Sequence, residues 1–263
     1  MATALVTGSS DGIGRVLARH LAEHGWTVLV HARTPQRGEP ALAEVTRAAD
    51  GADPVLVTGD LSSLEQTRDL AEQVAEHASD GLDVLVHNAG VWVRDGTPPT
   101  TVDGFETTLQ VNVLAAHLLT ALLREVLLPT SRTLWLGSGM ARSGRVDPAQ
   151  VRRGAGGAPE RAYADSKAAD VALALGWERR LSSYDAGMSA AVDPGWVKTK
   201  LASAGAPGEV EEGADTLLWC ATDPELAGGY YRARRSASVP GPLRDEGLQD
   251  ALLAACVAAV GLG

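Results

Sequence analysis

The feature that most constrains this chain is a regular alternation of short apolar runs with longer segments of helical period. The runs are rich in Val and Leu and lack a polar alternation, so they predict strands that are buried on both faces. Such strands, joined through helices, predict an α/β fold: a doubly wound, mostly parallel sheet with helices on both faces. The predicted strands are ATALVT (2–7), WTVLVHA (26–32), DPVLVT (53–58), LDVLVH (82–87), RTLWLG (132–137) and MSAAVD (188–193).

A single domain over residues 1–263 is expected, because no linker or change of composition divides the chain. We expect a cofactor-binding half over about residues 1–130 and a catalytic and substrate-binding part over about 131–263. Helices are predicted over residues 12–24, 39–49, 62–79, 103–128 and 161–184, with a packed C-terminal helix from residue 251.

Charge and composition exclude several classes of function. The formal net charge of −10 argues against nucleic acid and anionic membrane as partners, because both are negatively charged. The longest uncharged stretch near the end, 251–263, is too short to cross a bilayer, so no membrane span is expected. Cys220 and Cys256 form neither a ligand spacing nor a disulfide framework, and the first residues lack the basic region and apolar core of a signal-type segment. We therefore expect a cytoplasmic protein.

The first crossover carries a glycine-rich turn, TGSSDGIG, with glycines at positions 8, 12 and 14. Missing side chains let a backbone turn tightly and approach a pyrophosphate, which then lies on the N-terminus of the next helix. Because this motif stands between a first strand and a first helix, it predicts a dinucleotide site rather than an ordinary turn.

The end of the second predicted strand indicates which dinucleotide binds. Sites for NAD place an acidic residue about 20 residues after the glycine turn, on the ribose hydroxyls. Here the chain reads VLVHARTPQRG, with Arg33 and Arg37 and no acidic residue before Glu39. An arginine can bind a 2′-phosphate through two hydrogen bonds, whereas a carboxylate repels it. We expect NADP(H) in preference to NAD(H), the alternative being that Arg33 is a solvated loop charge.

Two tryptophans follow predicted strands that end at the cofactor edge. Trp92 and Trp196 predict an aromatic wall over the substrate, with plain packing as the alternative, and Met140 and Leu201 are further candidates for this pocket.

Two other groups are not assigned to a site. His20 and His24 lie one turn apart on a helix, but a third ligand has no candidate, so no metal is expected. A clamp for an anionic substrate is one interpretation of four arginines in the loop 139–160, and a solvated insertion is the favoured one. These arginines are Arg142, Arg145, Arg152 and Arg153.

Together the motifs resemble those of the short-chain dehydrogenase/reductase family, in that family's order and over almost the whole chain. Asp60 with Leu61 is similar to its adenine-side pair, and HNAG (87–90) to its N-N-A-G element, with His87 where Asn is common. DPGWVKT (193–199) matches the stretch that lies along the nicotinamide. The catalytic positions of the family fall on Asn112 in QVNVLAA, Ser138 in WLGSG, and Tyr163 and Lys167 in YADSK.

The resemblance implies a Rossmann fold and an enzyme that interconverts a ketone or aldehyde and an alcohol by hydride transfer. Tyr163 would be the general acid/base, and Lys167, one helical turn away, would make it more acidic and bind the nicotinamide ribose. Ser138 would hydrogen-bond the substrate oxygen, and Asn112 would hold a water that relays protons to solvent. The implied cofactor contacts are Gly8, Ser10, Asp11, Gly12, Ile13, Gly14, Arg33, Asp60, Leu61, Asn88, Ala89, Gly90, Val111, Tyr163, Lys167, Pro194, Gly195, Val197 and Thr199.

A narrower resemblance, to the retinol-dehydrogenase-like branch, rests on HARTP, on the long spacing from Ser138 to Tyr163 and on the tail from EEGADTLLWC. It implies an apolar small-molecule substrate, and segment 198–213 is a candidate lid over it. Two alternatives remain: reduction of a carbon–carbon double bond on the same scaffold, and an NADP(H)-sensing regulator without chemistry. Family members are often dimers or tetramers through the two long helices, so a homodimer or homotetramer is also expected.

Overall fold

Eight strands form one sheet at the centre of the computed structural model, which describes residues 1–94, 96, 99–153, 158–201 and 205–262. The strands are β1 (Thr3–Val6), β2 (Thr27–Ala32), β3 (Val55–Thr58), β4 (Leu82–His87), β5 (Leu127–Leu136), β6 (Met188–Asp193), β7 (Gly229–Arg232) and β8 (Arg235–Ser236). Their order is β3-β2-β1-β4-β5-β6-β7-β8, and every neighbouring pair is parallel except β7 with β8. The order reverses between β1 and β4, which is where a doubly wound sheet binds its ligand.

Helices cover both faces of this sheet. They are α1 (Gly12–Glu23), α2 (Pro35–Ala48), α3 (Leu64–His77), α4 (Thr107–Leu109), α5 (Ala115–Leu123), α6 (Pro148–Arg153), α7 (Pro159–Ser183), α8 (Val210–Thr222) and α9 (Glu246–Ala259). A π-helical turn, Gln110–Leu114, joins α4 to α5. The buried apolar residues form two clusters, one including residues of α3, α5, α7 and α9 and the other including residues of α1, α2 and α8. The predicted doubly wound fold is therefore confirmed.

Local chemistry fixes where several helices begin. The side chain of Asp11 accepts a hydrogen bond from Gly12 N at 2.8 Å and caps α1, which places the start of that helix directly after the glycine turn. Ser63 caps α3 and Asp245 caps α9 in the same manner. Pro159 occupies the first turn of α7, where its missing N–H costs nothing.

The sequence-based boundaries need several corrections. The helix predicted over 103–128 is broken by the π-helical turn and ends earlier, because β5 already begins at Leu127. Helix α2 begins at Pro35 rather than at residue 39, and α9 begins at Glu246 rather than at residue 251. The short strands β7 and β8 were not predicted. Their hairpin turns at Ala233 and Arg234, which have positive φ (48° and 55°) without being glycines, so the usual turn signal is missing.

One helical stretch, Thr107–Val126, is long and apolar enough by composition to cross a membrane. Of its most apolar window, 72% is buried inside the protein, as in the core helix of a globular domain.

Candidate active site

A cavity of about 700 Å³ opens at the C-terminal ends of the central strands. Of the residues predicted to bind cofactor or substrate or to act in catalysis, all but Gly14 and Asn112 line it. Side chains that the sequence analysis did not assign also line it, and they include His31, Thr107, Asp193, Lys200 and Arg232. The elements that carry these residues are far apart in sequence, and the sheet brings them to one edge.

The glycine turn fits closely against the end of β4. Gly8 has φ +65°, and a Cβ there would lie 2.9 Å from Ala89 Cα. A Cβ on Gly14 would lie 2.3 Å from Asn88 Nδ2, so Gly14 packs behind the cavity instead of lining it. Gly12 has φ +54° and room for a ligand beside it. The turn therefore leaves bare backbone at the N-terminus of α1, which fits the phosphates of a dinucleotide.

His31 fastens this turn to the sheet, a role that the sequence analysis missed. Gly8 N donates to its Nδ1 at 2.9 Å, and its Nε2 lies 3.0 Å from the carbonyl oxygen of Gly59. The first contact requires an unprotonated Nδ1, so the neutral ring carries its proton on Nε2 and donates it to Gly59. Burial lowers the pKa of His31 to about 4, which keeps the ring in this neutral form.

The HNAG element locks β4 to β1. Asn88 Nδ2 donates to Thr7 O at 2.8 Å, while the backbone N–H groups of Asn88 and Ala89 both donate to Thr7 Oγ1 at 3.0 Å. His87, the departure from the family pattern, lies on the other side of the strand end. Its Nε2 is 2.7 Å from Thr120 Oγ1, and its ring packs on Trp135 at 4.4 Å between centroids. The substitution therefore leaves the contacts of Asn88 intact.

The end of β2 presents arginines to the cavity. Arg33 is exposed over 55% of its side chain, and its Nη1 lies 4.0 Å from the Asp60 carboxylate. Arg37 is also exposed and lines the cavity. Asp60 is held by Ser62, whose Oγ donates to its Oδ1 at 2.7 Å. Two cations therefore stand where NAD sites place an acidic residue.

Tyr163 and Lys167 face the cavity from α7. The Lys167 Nζ lies 5.9 Å from the centroid of the Tyr163 ring and donates to Leu136 O at 2.8 Å and to Asp170 Oδ2 at 2.9 Å. Ser138 lies just after β5, and its Oγ accepts a hydrogen bond from Met140 N at 3.2 Å. A phenol, a buried ammonium and a serine hydroxyl therefore line one cavity, which is what proton transfer to a substrate oxygen requires.

Asn112 lies behind the cavity, in the π-helical turn. Its Oδ1 accepts from Val91 N at 2.8 Å, and its Nδ2 donates to Val91 O at 3.1 Å and to Ser166 Oγ at 2.9 Å. The side chain thus ties the segment after β4 to α7. The predicted relay water stays a prediction, but the positioning of Val91 and Ser166 is a structural role that the sequence did not reveal.

An aromatic side chain covers Tyr163. The Trp92 ring stacks on the Tyr163 ring with centroids 4.8 Å apart and planes 10° apart, and the Arg94 guanidinium lies 4.4 Å from the Trp92 centroid. Arg94 also donates to Leu201 O. Trp196 is 54% exposed and lines the cavity together with Met140 and Leu201.

The segment after β6 closes over the glycine turn. Asp193 Oδ1 accepts from Gly195 N at 2.9 Å and shapes the turn after the strand. Further on, Lys200 forms an ion pair with Asp11, and this contact together with Gly12 N holds the pKa of the Asp11 carboxyl below its usual value despite partial burial. The predicted lid, 198–213, is thus joined to the cofactor turn, although positions 202–204 lie outside the described residues.

Among the described residues, two arginines of the loop 139–160 and the histidine pair lie outside the cavity. Arg142 and Arg145 are exposed and do not line the cavity, while the side chains of Arg152 and Arg153 lie outside the described residues. His24 Nδ1 lies 2.7 Å from the carbonyl oxygen of His20. Within the described part of the chain, no group of three or more His, Cys, Asp or Glu side chains could hold a metal.

An open parallel sheet, a glycine turn at its point of reversal and a Tyr–Lys pair facing the same cavity define a nicotinamide-dependent oxidoreductase. A sequence model described as short chain dehydrogenase matches residues 2–209. The chain belongs to the short-chain dehydrogenase/reductase family.

Individual relatives agree with this assignment. A protein of Streptomyces sp. (strain C5), named as a daunorubicin C-13 ketoreductase, is 37% identical over 98% of this chain and 92% of its own length. Mouse polyprenol dehydrogenase is 35% identical over 99% of this chain and 84% of its own length, which agrees with the retinol-dehydrogenase-like branch. The crystal structure of landomycin C-6 ketoreductase with bound NADP and rabelomycin superposes with a TM-score of 0.70, at 26% identity over 93% of this chain and 97% of that one.

Proposed function

We propose that this enzyme uses NADP(H) to interconvert an apolar ketone or aldehyde and the corresponding alcohol, with Tyr163 as general acid/base. The observation that carries the proposal is that Tyr163, Lys167 and Ser138 line the same cavity as the glycine turn. The cofactor supplies or accepts the hydride, and the side chains of this chain handle the proton and the substrate oxygen.

The proton step follows from the positions of three side chains. In reduction, the Tyr163 hydroxyl gives its proton to the substrate oxygen as negative charge develops there, and in oxidation the phenolate takes it back. The Lys167 ammonium stabilises the phenolate, since its Nζ lies 5.9 Å from the ring centroid in a buried setting. Ser138 donates a hydrogen bond to the same substrate oxygen. Asn112 keeps Val91 and Ser166 in register around this group.

The preference for NADP(H) is inferred from the end of β2. Arg33 and Arg37 line the cavity there, and a guanidinium binds a phosphate with two parallel hydrogen bonds. The relative with bound NADP supports the same choice.

The substrate is inferred to be a flat, ring-containing carbonyl compound. Trp92 and Trp196 line the cavity, and the Trp92 ring lies between the Tyr163 ring and the Arg94 guanidinium. The Trp92 indole Nε1 is buried and has no hydrogen-bond partner among the described residues, so an acceptor oxygen on the substrate is a candidate partner. The ketoreductase names of two relatives agree with such a ketone.

The test of the reaction is a panel of carbonyl compounds assayed with NADPH and NADH separately. We expect oxidation of NADPH with ring ketones and loss of turnover in Tyr163→Phe, whose NADPH affinity should stay within about twofold of the original, because Phe keeps the ring and loses only the hydroxyl that transfers the proton. Tyr184→Phe, at an exposed tyrosine outside the cavity, is the matched control and should keep full turnover. Full activity of Tyr163→Phe would refute the assignment. Reduction of a conjugated double bond with the carbonyl left intact would replace it, and NADPH binding without any turnover would indicate a sensor.

The test of the aromatic wall is a pair of variants at one position. Trp92→Phe keeps a ring for stacking but removes the indole N–H, whereas Trp92→Ala removes both. If the ring binds the substrate, Trp92→Ala should raise KM for ring ketones about tenfold and leave KM for small aliphatic ketones nearly unchanged. Equal changes for both substrate types would contradict this role.

A further inference from the structure

Next to the proposed acid/base pair, α7 carries a buried carboxylate. Asp170 lies three positions after Lys167, and the side chains of both residues are only 4% exposed. Its Oδ2 is 2.9 Å from Lys167 Nζ. Because an ammonium has three donors and Lys167 already bonds Leu136 O and Asp170, one donor remains for a ligand in the cavity.

The carboxylate of Asp170 offsets the charge of the buried Lys167 ammonium, but it is not itself fully paired. Asp170 Oδ1 is buried and has no hydrogen-bond partner among the described residues. A buried charge with an unpaired oxygen is costly, and a buried ion pair replaced as a whole by apolar side chains of similar volume is often at least as stable. The site is also covered from outside, because α9 packs on α7 and Asp170 acts electrostatically on the Cys256 thiol of α9.

The ionisable groups around Asp170 come from two helices. Burial raises the pKa of Asp170 to about 6 while Lys167 opposes the rise, so the carboxyl is ionised at neutral pH. Burial acts to lower the pKa of Lys167, but Asp170 and Tyr163 outweigh it and the pKa is raised, so the amine stays protonated. From α9, Cys256 adds no charge, because burial and Asp170 raise the pKa of its thiol to about 12.

We propose that Asp170 is a positioning residue that holds the Lys167 ammonium and partly neutralises it, and that it thereby sets the pH at which Tyr163 becomes a phenolate. A bare ammonium stabilises a neighbouring phenolate strongly, whereas an ammonium paired with a carboxylate stabilises it less, because the two charges oppose each other at the tyrosine oxygen. The inference rests on the proposed role of Tyr163.

Its test is a spectroscopic titration that needs neither substrate nor cofactor. The near-ultraviolet phenolate absorbance of the protein is recorded against pH, and the curve of Tyr163→Phe is subtracted to isolate Tyr163 from the other tyrosines. The same pair of curves is recorded with Asp170→Asn, which removes the charge and keeps an oxygen that can accept from Lys167. Asp250→Asn is the matched control, since it removes one negative charge from α9 at a side chain 63% exposed and paired with Arg179.

We expect Asp170→Asn to lower the Tyr163 midpoint by about one pH unit or more and the control to leave it in place. An unchanged or raised midpoint in a folded Asp170→Asn protein would overturn the proposal. If that variant does not fold, Asp170→Ser takes its place with the same expectation. If neither neutral variant folds, the carboxylate is a structural requirement and the proposal is wrong.

The outcome is separable from that of the proposed function. A lowered midpoint in a protein that reduces no carbonyl would retain the role of Asp170 and remove the proposed reaction. Turnover with an unshifted midpoint would do the reverse.

Discussion

Acidification from pH 7.5 to pH 5 should lower the free energy of unfolding by about 5 kcal/mol, because three buried histidines cannot take up protons in the folded state. His31, His87 and His117 are 3%, 5% and 0% exposed. Burial lowers their pKa values to about 4, about 3 and about 3. In the unfolded chain, each titrates near its ordinary value of about 6.5.

The magnitude follows from proton linkage. A histidine with a lowered folded pKa contributes stability that is fully present above about pH 6.5 and is lost as the pH falls toward the folded pKa. At pH 5 each loss is about 2 kcal/mol, from about 1.4 kcal/mol for each pH unit below 6.5. Protonation of Asp170 changes the unfolding free energy in the opposite direction. Because its pKa is about 6 in the folded state, the folded state binds this proton first, which adds about 1 kcal/mol to the unfolding free energy at pH 5. A net loss of about 5 kcal/mol is comparable with the whole stability of many domains.

Urea unfolding at pH 7.5, 6 and 5 measures this loss. His87→Asn removes one titrating ring, so its loss between pH 7.5 and pH 5 should be about 2 kcal/mol smaller than that of the original protein. His77→Asn, at an exposed position in α3, is the matched control and should keep the original pH dependence. Unfolding free energies at pH 7.5 and pH 5 that agree within about 1 kcal/mol, or a His87→Asn slope equal to the original, would refute the reasoning.

Three other substitutions test the glycine turn, the arginine after β2 and the packing of α7 against α9. Gly14→Ala places a Cβ 2.3 Å from Asn88 Nδ2, so displacement of that amide should weaken NADPH binding about tenfold by fluorescence titration, and an original affinity would contradict the close approach. Arg33→Ala should weaken NADPH binding about tenfold and leave NADH binding unchanged, with the exposed Arg47→Ala as control, and equal losses for both cofactors would argue against 2′-phosphate recognition. Gly176→Leu places a Cβ 2.7 Å from Leu253 Cδ1. Overpacking between α7 and α9 should therefore lower the unfolding free energy, measured in urea, by about 1–3 kcal/mol. An unchanged unfolding free energy would show that α9 can shift away from α7 without cost.

The sequence predicted the sheet up to β6 because parallel strands buried on both faces carry an unmistakable apolar signal. It did not predict β7 and β8, since their hairpin has no glycine in the turn and the strands are short. The break between α4 and α5 was also hidden. An apolar segment such as QVNVLAAHLL has the same periodicity whether or not it contains one π-helical turn.

At the site, the motifs predicted which residues line the cavity but not the hydrogen bonds and packing that hold those residues in place. The hydrogen bonds of the Asn112 amide with Val91 and Ser166 could not be predicted from the motif, and its relay water stays a prediction. The contacts of His31 with Gly8 and Gly59 depend on strands paired in space, which no local pattern records. From the sequence alone Asp170 is expected to be a solvent-exposed helical residue, because its burial depends on the packing of α9 against α7.

The packing of α9 over α7 also has a consequence for how the chain matures on the ribosome. Strands β1, β2 and β4, with the glycine turn between them, are translated early and can associate while synthesis continues. The Lys167–Asp170 pair is translated before α9, so the cover that α9 provides over α7 can form only after α9 has emerged. The glycine turn is therefore available early, and the cover that α9 places over α7 is among the last parts to be completed.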